Sequence, residues 1–219
     1  MRHLHGNVLS LHLTVLGDSL GYGTGATSPS NGFTQIVYRA LTRNVAERSF
    51  TNLSVPGATM NDVAMFQVSR IPTEVDALLL VVGANDVPNT IDPAIFNEQY
   101  GRLLGRVRAS APPAQLFVTG IPNIAITPHV PDDAKPFVAS LCELLSANMR
   151  EQAAAHQATF IDLFGITNLA REHGLRYLAE DCFHPSDRGY ALMARGALPV
   201  MQAVLRASDS VDSDEITGA

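Results

Sequence analysis

The sequence predicts an α/β fold in one domain, with a parallel sheet between layers of helices. Apolar runs of strand length alternate along the chain with longer segments whose apolar residues recur at helical spacing. One of these runs, Asp76–Gly83, is nearly unbroken, which suits a parallel strand covered on both faces. A chain of 219 residues, 46% of them hydrophobic, can bury one substantial core but is short for two domains.

Five strands and five helices follow from these patterns. The predicted strands are Leu11–Leu16, Arg48–Ser54, Asp76–Gly83, Gln115–Gly120 and Thr159–Leu163. The predicted helices are Phe33–Leu41, Asn61–Ser69, Pro93–Ala109, Phe137–His156 and Ser186–Arg206. Between them, Ile121–Pro136 is predicted as a loop interrupted by prolines. Strands that alternate with helices imply right-handed crossovers, and we predict a flavodoxin-like three-layer sandwich with a five-stranded parallel sheet in the order 2-1-3-4-5.

The two ends of the chain are predicted to lie outside this pattern. Met1–Gly6 is interpreted as a short tail, and residues 208–219 are acidic and aperiodic, which predicts disorder after a domain over residues 1–207. A secretory signal would coincide with the first strand, so we expect a cytoplasmic protein. No apolar run approaches the roughly 20 residues that span a bilayer.

Charge and cysteine content exclude several classes of protein. The net charge of −6 and the pI of about 5.6 argue against nucleic-acid binding and against an anionic membrane surface as partner. The two cysteines, Cys142 and Cys182, cannot form a disulfide framework, although one bridge between them stays possible.

A serine follows the first predicted strand, in Gly17-Asp18-Ser19-Leu20. The carboxyl ends of parallel strands form the edge at which ligands bind, so Ser19 is a candidate nucleophile. Taken alone, Gly-Asp-Ser is also a common turn sequence. The assignment therefore depends on what the other strand ends carry.

Three further segments bring polar groups to the same edge. Gly57 follows the second strand and lets a backbone N–H approach a substrate closely. Asn85 follows the third strand. His184 lies before the last helix, three residues after Asp181. A serine needs a base, which His184 can supply once Asp181 orients its ring, and Asn85 with two amides can stabilise an oxyanion without a metal.

Together these segments resemble the SGNH, or GDSL-type, hydrolase family. Its four sequence blocks correspond to Gly17-Asp18-Ser19-Leu20, the glycine block that ends at Gly57, Gly83-Ala84-Asn85-Asp86 and Asp181-Cys182-Phe183-His184, in the family's order from about Leu11 to Arg206. The resemblance implies hydrolysis of esters or related acyl bonds by a triad of Ser19, Asp181 and His184. It also implies an oxyanion hole formed by the Ser19 and Gly57 amides with Asn85. No cofactor or metal is implied, and the partner is a small acyl ester.

Some of these residues also have structural interpretations. His184-Pro185 could simply lead into a helix, and Asp162 at the last strand end is the second candidate for the triad acid, although capping is its expected role. Asp18 and Asp86 are expected to hold turns by accepting backbone N–H bonds.

Two further sequence features are weak candidates for functional sites. His3, His5 and His12 are weak candidates for a metal site. Cys182 is expected to be a small packing residue.

Other functions remain compatible with the same residues. Gly17-Asp18-Ser19-Leu20-Gly21 satisfies the nucleophile-elbow pattern of α/β-hydrolases, but the early serine and the short Asp181-to-His184 spacing favour the GDSL type. An acyltransferase, thioesterase or lysophospholipase would use the same triad, and a binding module that has lost turnover is a further hypothesis. Only three short loops are available to shape a pocket, which predicts a shallow site that prefers short acyl groups; they are Gly21–Ser30, Val87–Ile91 and Ile121–Pro136.

Overall fold

The computed structural model describes residues 3–4, 7–8, 10–90, 92–171 and 174–216. Its sheet has five parallel strands: β1 Ser10–Gly17, β2 Glu47–Asn52, β3 Ala77–Val81, β4 Gln115–Thr119 and β5 Thr159–Ile161. Their order is β2-β1-β3-β4-β5, and every neighbouring pair is parallel. The predicted α/β fold, strand order and sandwich are therefore confirmed.

Seven α-helices connect or follow the strands in the described part of the chain. They are α1 Ser19–Tyr22, α2 Phe33–Leu41, α3 Met60–Asp62, α4 Pro93–Ser110, α5 Lys135–Ala155, α6 Leu163–Arg171 and α7 Asp187–Ile216. The short α3 continues as a π-helix over Val63–Gln67 and a 3-10 turn over Val68–Arg70. Four other 3-10 turns occur in the described part of the chain: Pro29–Asn31, Ala84–Asn89, Ile124–Ile126 and Gly174–Tyr177.

Two apolar cores lie on opposite faces of the sheet. Successive side chains of a strand point to opposite faces, so Leu78 and Leu80 pack towards α4 and α5 while Ala77 and Leu79 pack towards α2 and α7. All four are completely buried. Burial on both faces explains why the β3 segment has no polar alternation in the sequence.

The structure corrects the sequence prediction at several element ends. The predicted Met1–Gly6 tail includes the strand His3–Leu4, which pairs antiparallel with Asn7–Val8, while residues 1–2 and 5–6 lie outside the described residues. Leu163 begins α6 rather than ending a strand, and α6 itself was not predicted. Asp162 accepts the Gly165 N–H at 2.9 Å, a local cap that starts a helix directly after β5.

The last helix is longer than predicted. We expected it to end at Arg206 and the acidic tail to be disordered, but α7 continues to Ile216. A helix adds one hydrogen bond for each further residue, and no glycine or proline interrupts residues 207–216. Residues 217–219 lie outside the described part of the chain. The division into a domain over 1–207 and a tail stays a proposal.

None of the helices in the described residues is long and apolar enough to cross a membrane.

Candidate active site

The carboxyl end of β1 presents Ser19. Gly17 has a φ of +146°, and a Cβ at this position would lie 1.9 Å from the carbonyl oxygen of Val81 on the neighbouring β3. Only glycine fits so close to that strand. The Asp18 N–H then donates to the same Val81 oxygen at 3.0 Å, and Ser19 begins α1 directly afterwards with 7% of its surface exposed.

Asp18 is the N-cap of this short helix. Its carboxylate Oδ1 accepts the Leu20 N–H at 2.9 Å, which satisfies one of the free amides of the first turn. Burial raises the pKa of the Asp18 carboxyl to about 7, against the opposing effect of its backbone hydrogen bonds. The predicted turn-holding role of Asp18 is confirmed by this bond.

Asp181 and His184 form a hydrogen-bonded pair within a tight turn. Asp181 Oδ2 lies 2.6 Å from His184 Nδ1, and Asp181 Oδ1 accepts the N–H groups of Phe183 and His184, both at 2.9 Å. Partial burial opposes ionisation of Asp181, but these hydrogen bonds outweigh it, so the pKa of Asp181 lies below its ordinary value. Because an ionised carboxylate has no proton to give, Nδ1 is the donor, which leaves Nε2 as the basic nitrogen of His184.

The turn that carries this pair is closed by its own backbone. Leu178 and Pro185 form an antiparallel bridge, and the Ala179 N–H donates to the His184 carbonyl oxygen at 2.8 Å. Cys182, which lies between Asp181 and His184 in the sequence, has a φ of +56°. It lies half-buried in the turn, outside the two apolar cores, and its packing role stays a prediction.

Asn85 is the second residue of the 3-10 turn Ala84–Asn89 that follows β3. Its Nδ2 donates to the carbonyl oxygen of Ala58 at 3.0 Å, which joins it to the turn that contains Gly57. The next residue, Asp86, accepts the Met60 N–H, which lies 3.2 Å from each of its carboxylate oxygens. This bond is the kind predicted for a residue that holds a turn. Burial raises the pKa of Asp86 to about 6, and the charge of Asp62 adds to the effect.

One apolar cavity brings most of the predicted site residues together. It has about 670 Å³ of empty space, part of it open to solvent, and Ser19, Asn85 and His184 all line it. Asp181 lines a separate groove beside the cavity. Gly57 lies on an exposed turn outside the lining, with a φ of +84° and no heavy atom within 4 Å of the place where a Cβ would be.

Two helices form part of the cavity wall, and the sequence analysis did not predict this contribution. Thr167 of α6 and Leu192 and Met193 of α7 line it, in addition to Ile124 and Ile126 of the predicted loop. Of the three loops predicted to shape the pocket, only Ile121–Pro136 supplies lining residues. Gly21–Ser30 supplies none, and neither do the described residues of Val87–Ile91, whose last residue lies outside the described part of the chain. The apolar spacing of α7 is visible in the sequence, but nothing local shows that its first turns face Ser19.

The remaining sequence candidates have other partners. Asp162 is bonded to Gly165 and lies 3.4 Å from Arg150, as expected for a capping residue. His12 Nδ1 lies 2.7 Å from Ser49 Oγ, and His5 lies outside the described residues. Within the residues that the structure describes, no three His, Cys, Asp or Glu side chains are grouped to hold a metal. Cys142 and Cys182 are both free thiols.

A serine at a strand end that shares a cavity with a carboxylate-bound histidine is typical of the serine hydrolases. The model of the GDSL-like lipase/acylhydrolase family matches residues 15–192, and the chain belongs to this family. The resemblance noted from the sequence blocks is thereby confirmed.

Solved structures of other proteins share the fold. A lipolytic protein of the G-D-S-L family from Veillonella parvula is 19% identical, with a TM-score of 0.69 over 88% of this chain and 98% of that one. An extracellular lipase from Streptomyces rimosus is 19% identical, with a TM-score of 0.65 over 88% and 99%. The esterase EstA from Pseudoalteromonas, in a structure inhibited by monoethylphosphonate, is 16% identical, with a TM-score of 0.68 over 89% and 98%. No curated protein sequence matches the chain.

Proposed function

We propose that the protein is a serine esterase that hydrolyses short- to medium-chain carboxylic esters through an acyl-enzyme. The observation that carries the proposal is the hydrogen-bonded Asp181–His184 pair, whose histidine lines one apolar cavity with Ser19. Family membership supports the same class of reaction. Ser19 is the proposed nucleophile, His184 the base and Asp181 the acid that orients it. The proposed oxyanion hole is formed by Ser19, Gly57 and Asn85.

The first half of the reaction forms the acyl-enzyme. Ser19 Oγ attacks the ester carbonyl carbon while His184 Nε2 takes the hydroxyl proton, and Asp181 stabilises the imidazolium that results. The carbonyl oxygen becomes an oxyanion, to which the amides of Ser19 and Gly57 and the Nδ2 of Asn85 would donate. The bond from the acyl carbon to the alcohol oxygen then breaks, and His184 returns the proton to the departing alcohol.

Water completes the cycle by the same steps. His184 takes a proton from a water molecule whose oxygen attacks the acyl carbon, and the bond to Ser19 Oγ breaks as the serine regains its proton. An alcohol in place of water would make an acyltransferase, and a thioester or lysophospholipid substrate would use the same groups. The cytoplasmic location and the absence of nucleic-acid or membrane partners stay predictions from the sequence.

The experiment that tests the proposal is covalent labelling of the nucleophile. Treatment with a fluorophosphonate, followed by mass spectrometric mapping, is expected to place the adduct on Ser19. EstA binds a monoethylphosphonate inhibitor, which supports this choice of reagent. An active enzyme that is labelled elsewhere, or not labelled, would refute the assignment, and a protein with no esterase activity and no label would be the binding module.

A graded series of p-nitrophenyl esters tests the acyl preference. We expect kcat/KM to be highest between acetyl and about hexanoyl esters, because the cavity is partly open to solvent and the far end of a longer chain would gain little further burial. The apolar lining by Leu20, Ile124 and Met193 favours an alkyl group over a charged one. A kcat/KM that climbs steadily to the palmitoyl ester would contradict the prediction.

Replacing Asn85 by alanine is expected to lower kcat by roughly 10²–10³, with KM nearly unchanged. The carboxamide would donate to the oxyanion mainly in the transition state, so its loss affects the chemical step more than substrate binding. Steady-state kinetics on the p-nitrophenyl esters measure both constants.

Asn85 also bonds to Ala58, so stability must be measured on the same preparations. Asn89→Ala, at an exposed position of the same 3-10 turn, is the matched control and should keep its kcat. If Asn85 only held the turn, its replacement would lower the unfolding midpoint and raise KM while kcat was kept.

A further inference from the structure

A buried glutamine binds both backbone groups of Gly17. Gln67 is 1% exposed; its Oε1 accepts the Gly17 N–H at 2.7 Å and its Nε2 donates to the Gly17 carbonyl oxygen at 2.8 Å. The two residues are 50 positions apart in the chain. Val63 and Met60, about one and two turns before Gln67, are also buried, so this amide lies on the apolar face of its helical segment.

The hydrogen bond from the Gly17 N–H to Gln67 takes the place of a strand partner that is missing. Gly17 pairs with Val81 of β3 on one side, but on the other side β2 ends at Asn52, which is opposite Val15. On this side the Gly17 carbonyl also accepts the Val55 N–H at 3.0 Å, but the Gly17 N–H would lack a backbone partner. An unsatisfied backbone group in the interior costs about as much as a lost hydrogen bond. Gln67 Oε1 satisfies the Gly17 N–H, and Gln67 Nε2 gives the Gly17 carbonyl a second donor.

The helical segment is irregular where Gln67 lies. Val63–Gln67 is a π-helix, a form that is rare and often found at functional sites. Of its last three residues, Met65 and Phe66 are more than half exposed to solvent, whereas Gln67 is buried. The wider turn is therefore associated with an amide directed at the end of β1.

Gly17 also lies at the start of a chain of contacts that reaches the proposed oxyanion donors. Its carbonyl oxygen accepts the Val55 N–H at 3.0 Å, and the Val55 carbonyl accepts the Ala58 N–H at 3.0 Å, which closes the turn around Gly57. The Ala58 carbonyl in turn accepts from Asn85 Nδ2 at 3.0 Å. Ser19 follows Gly17 by two residues. Each of the three proposed donors is thus joined to the peptide that Gln67 holds.

We infer that Gln67 is a positioning residue for the oxyanion hole: by holding the Gly17 peptide it fixes the placement of the Ser19 amide and the Gly57 turn without touching substrate. This inference rests on the proposed function. A displacement of about 1 Å in a catalytic group can cost on the order of 10²-fold in rate, so loss of this support is expected to appear in kcat.

The test compares Gln67→Met with Val63→Ala. Methionine has a similar length and fills the space but forms neither hydrogen bond, so kcat is expected to fall about 10- to 100-fold with KM nearly unchanged. Val63→Ala removes buried apolar contacts of the same helical segment and leaves the glutamine in place, so it is expected to lower the unfolding midpoint while keeping kcat within about twofold. The rate of fluorophosphonate labelling should follow kcat in both variants.

Gln67→Glu is the second variant and serves as a rescue. Burial favours the neutral form of a carboxyl group, which can accept the Gly17 N–H and donate its O–H to the Gly17 carbonyl. It should therefore keep more of the wild-type kcat than Gln67→Met does at the same pH, and it provides the comparison with wild type if the methionine variant does not fold.

The outcomes separate this inference from the proposed function. If the wild type is active and Gln67→Met keeps its kcat, the inference alone is overturned. The same holds if Val63→Ala loses as much kcat as Gln67→Met for the same loss of stability. A Gln67→Glu variant slower than Gln67→Met also overturns it. A wild type that neither hydrolyses esters nor reacts with the fluorophosphonate overturns the proposed function and this inference with it.

Discussion

Replacing Ser19 by alanine is expected to lower kcat for ester hydrolysis by about 10⁶-fold, the scale measured when the nucleophile of another serine hydrolase is removed. Without the hydroxyl oxygen no acyl-enzyme forms, and only the oxyanion donors and substrate binding remain to assist water. Steady-state hydrolysis of a short p-nitrophenyl ester, with the uncatalysed rate subtracted, measures the loss.

The Ser19→Ala variant should remain folded. The removed atom is one hydroxyl oxygen at the edge of a cavity, and the Asp18 cap of α1 does not depend on it. Ser30→Ala is the matched control, because Ser30 is exposed and lies in the 3-10 turn Pro29–Asn31; its kcat should stay within about twofold of wild type. A Ser19→Ala enzyme with a tenth of the wild-type kcat would show that the nucleophile is elsewhere.

Replacing Asp181 by asparagine is expected to lower kcat by about 10⁴-fold, as for a triad aspartate replaced by its amide. An amide cannot stabilise the imidazolium, and its NH₂ group donates to His184 Nδ1 and so favours the wrong tautomer. The hydrogen bonds from the Phe183 and His184 amides can still be accepted by the remaining carbonyl oxygen, so the turn should persist.

Asp162→Asn is the control for the acid. Asp162 bonds to Gly165 and lies near Arg150, and asparagine caps a helix about as well as aspartate does. We expect a kcat within a few-fold of wild type. With circular dichroism and thermal unfolding showing that both variants are folded, the reverse ranking of the two kcat values would move the triad acid to Asp162.

The sequence predicted well those features that local physics determines. The bounds of α2 agree at both ends, because its apolar spacing and the Gly32 that precedes it act within a few residues. The predicted start of α4 at Pro93 is confirmed, because a proline suits the first turn of a helix and Asp92 before it accepts the Ala94 N–H at 2.8 Å. The buried run of β3 predicted a strand in the middle of the sheet.

Features that depend on distant parts of the chain were not predictable in this way. The π-helix, and the direction of Gln67 within it, depend on a backbone group 50 residues away. The only signal in the sequence is one amide on an apolar helical face, between Val63 and Val68. The helical wall of the cavity was missed for the same reason, since a residue such as Met193 reaches the site only after the sheet has brought its helix there.

The proposed acid and base lie in one short turn of the chain, whereas the proposed nucleophile lies in a distant segment. Asp181 and His184 are three residues apart in a turn that its own hydrogen bonds close, so thermal motion of this turn moves the two side chains as one body. Ser19 is 165 residues from His184 (184 − 19) and is anchored to the sheet. A motion that changed the separation of Ser19 and His184 would therefore leave the histidine bonded to its carboxylate partner, and the proposed base would keep its orientation.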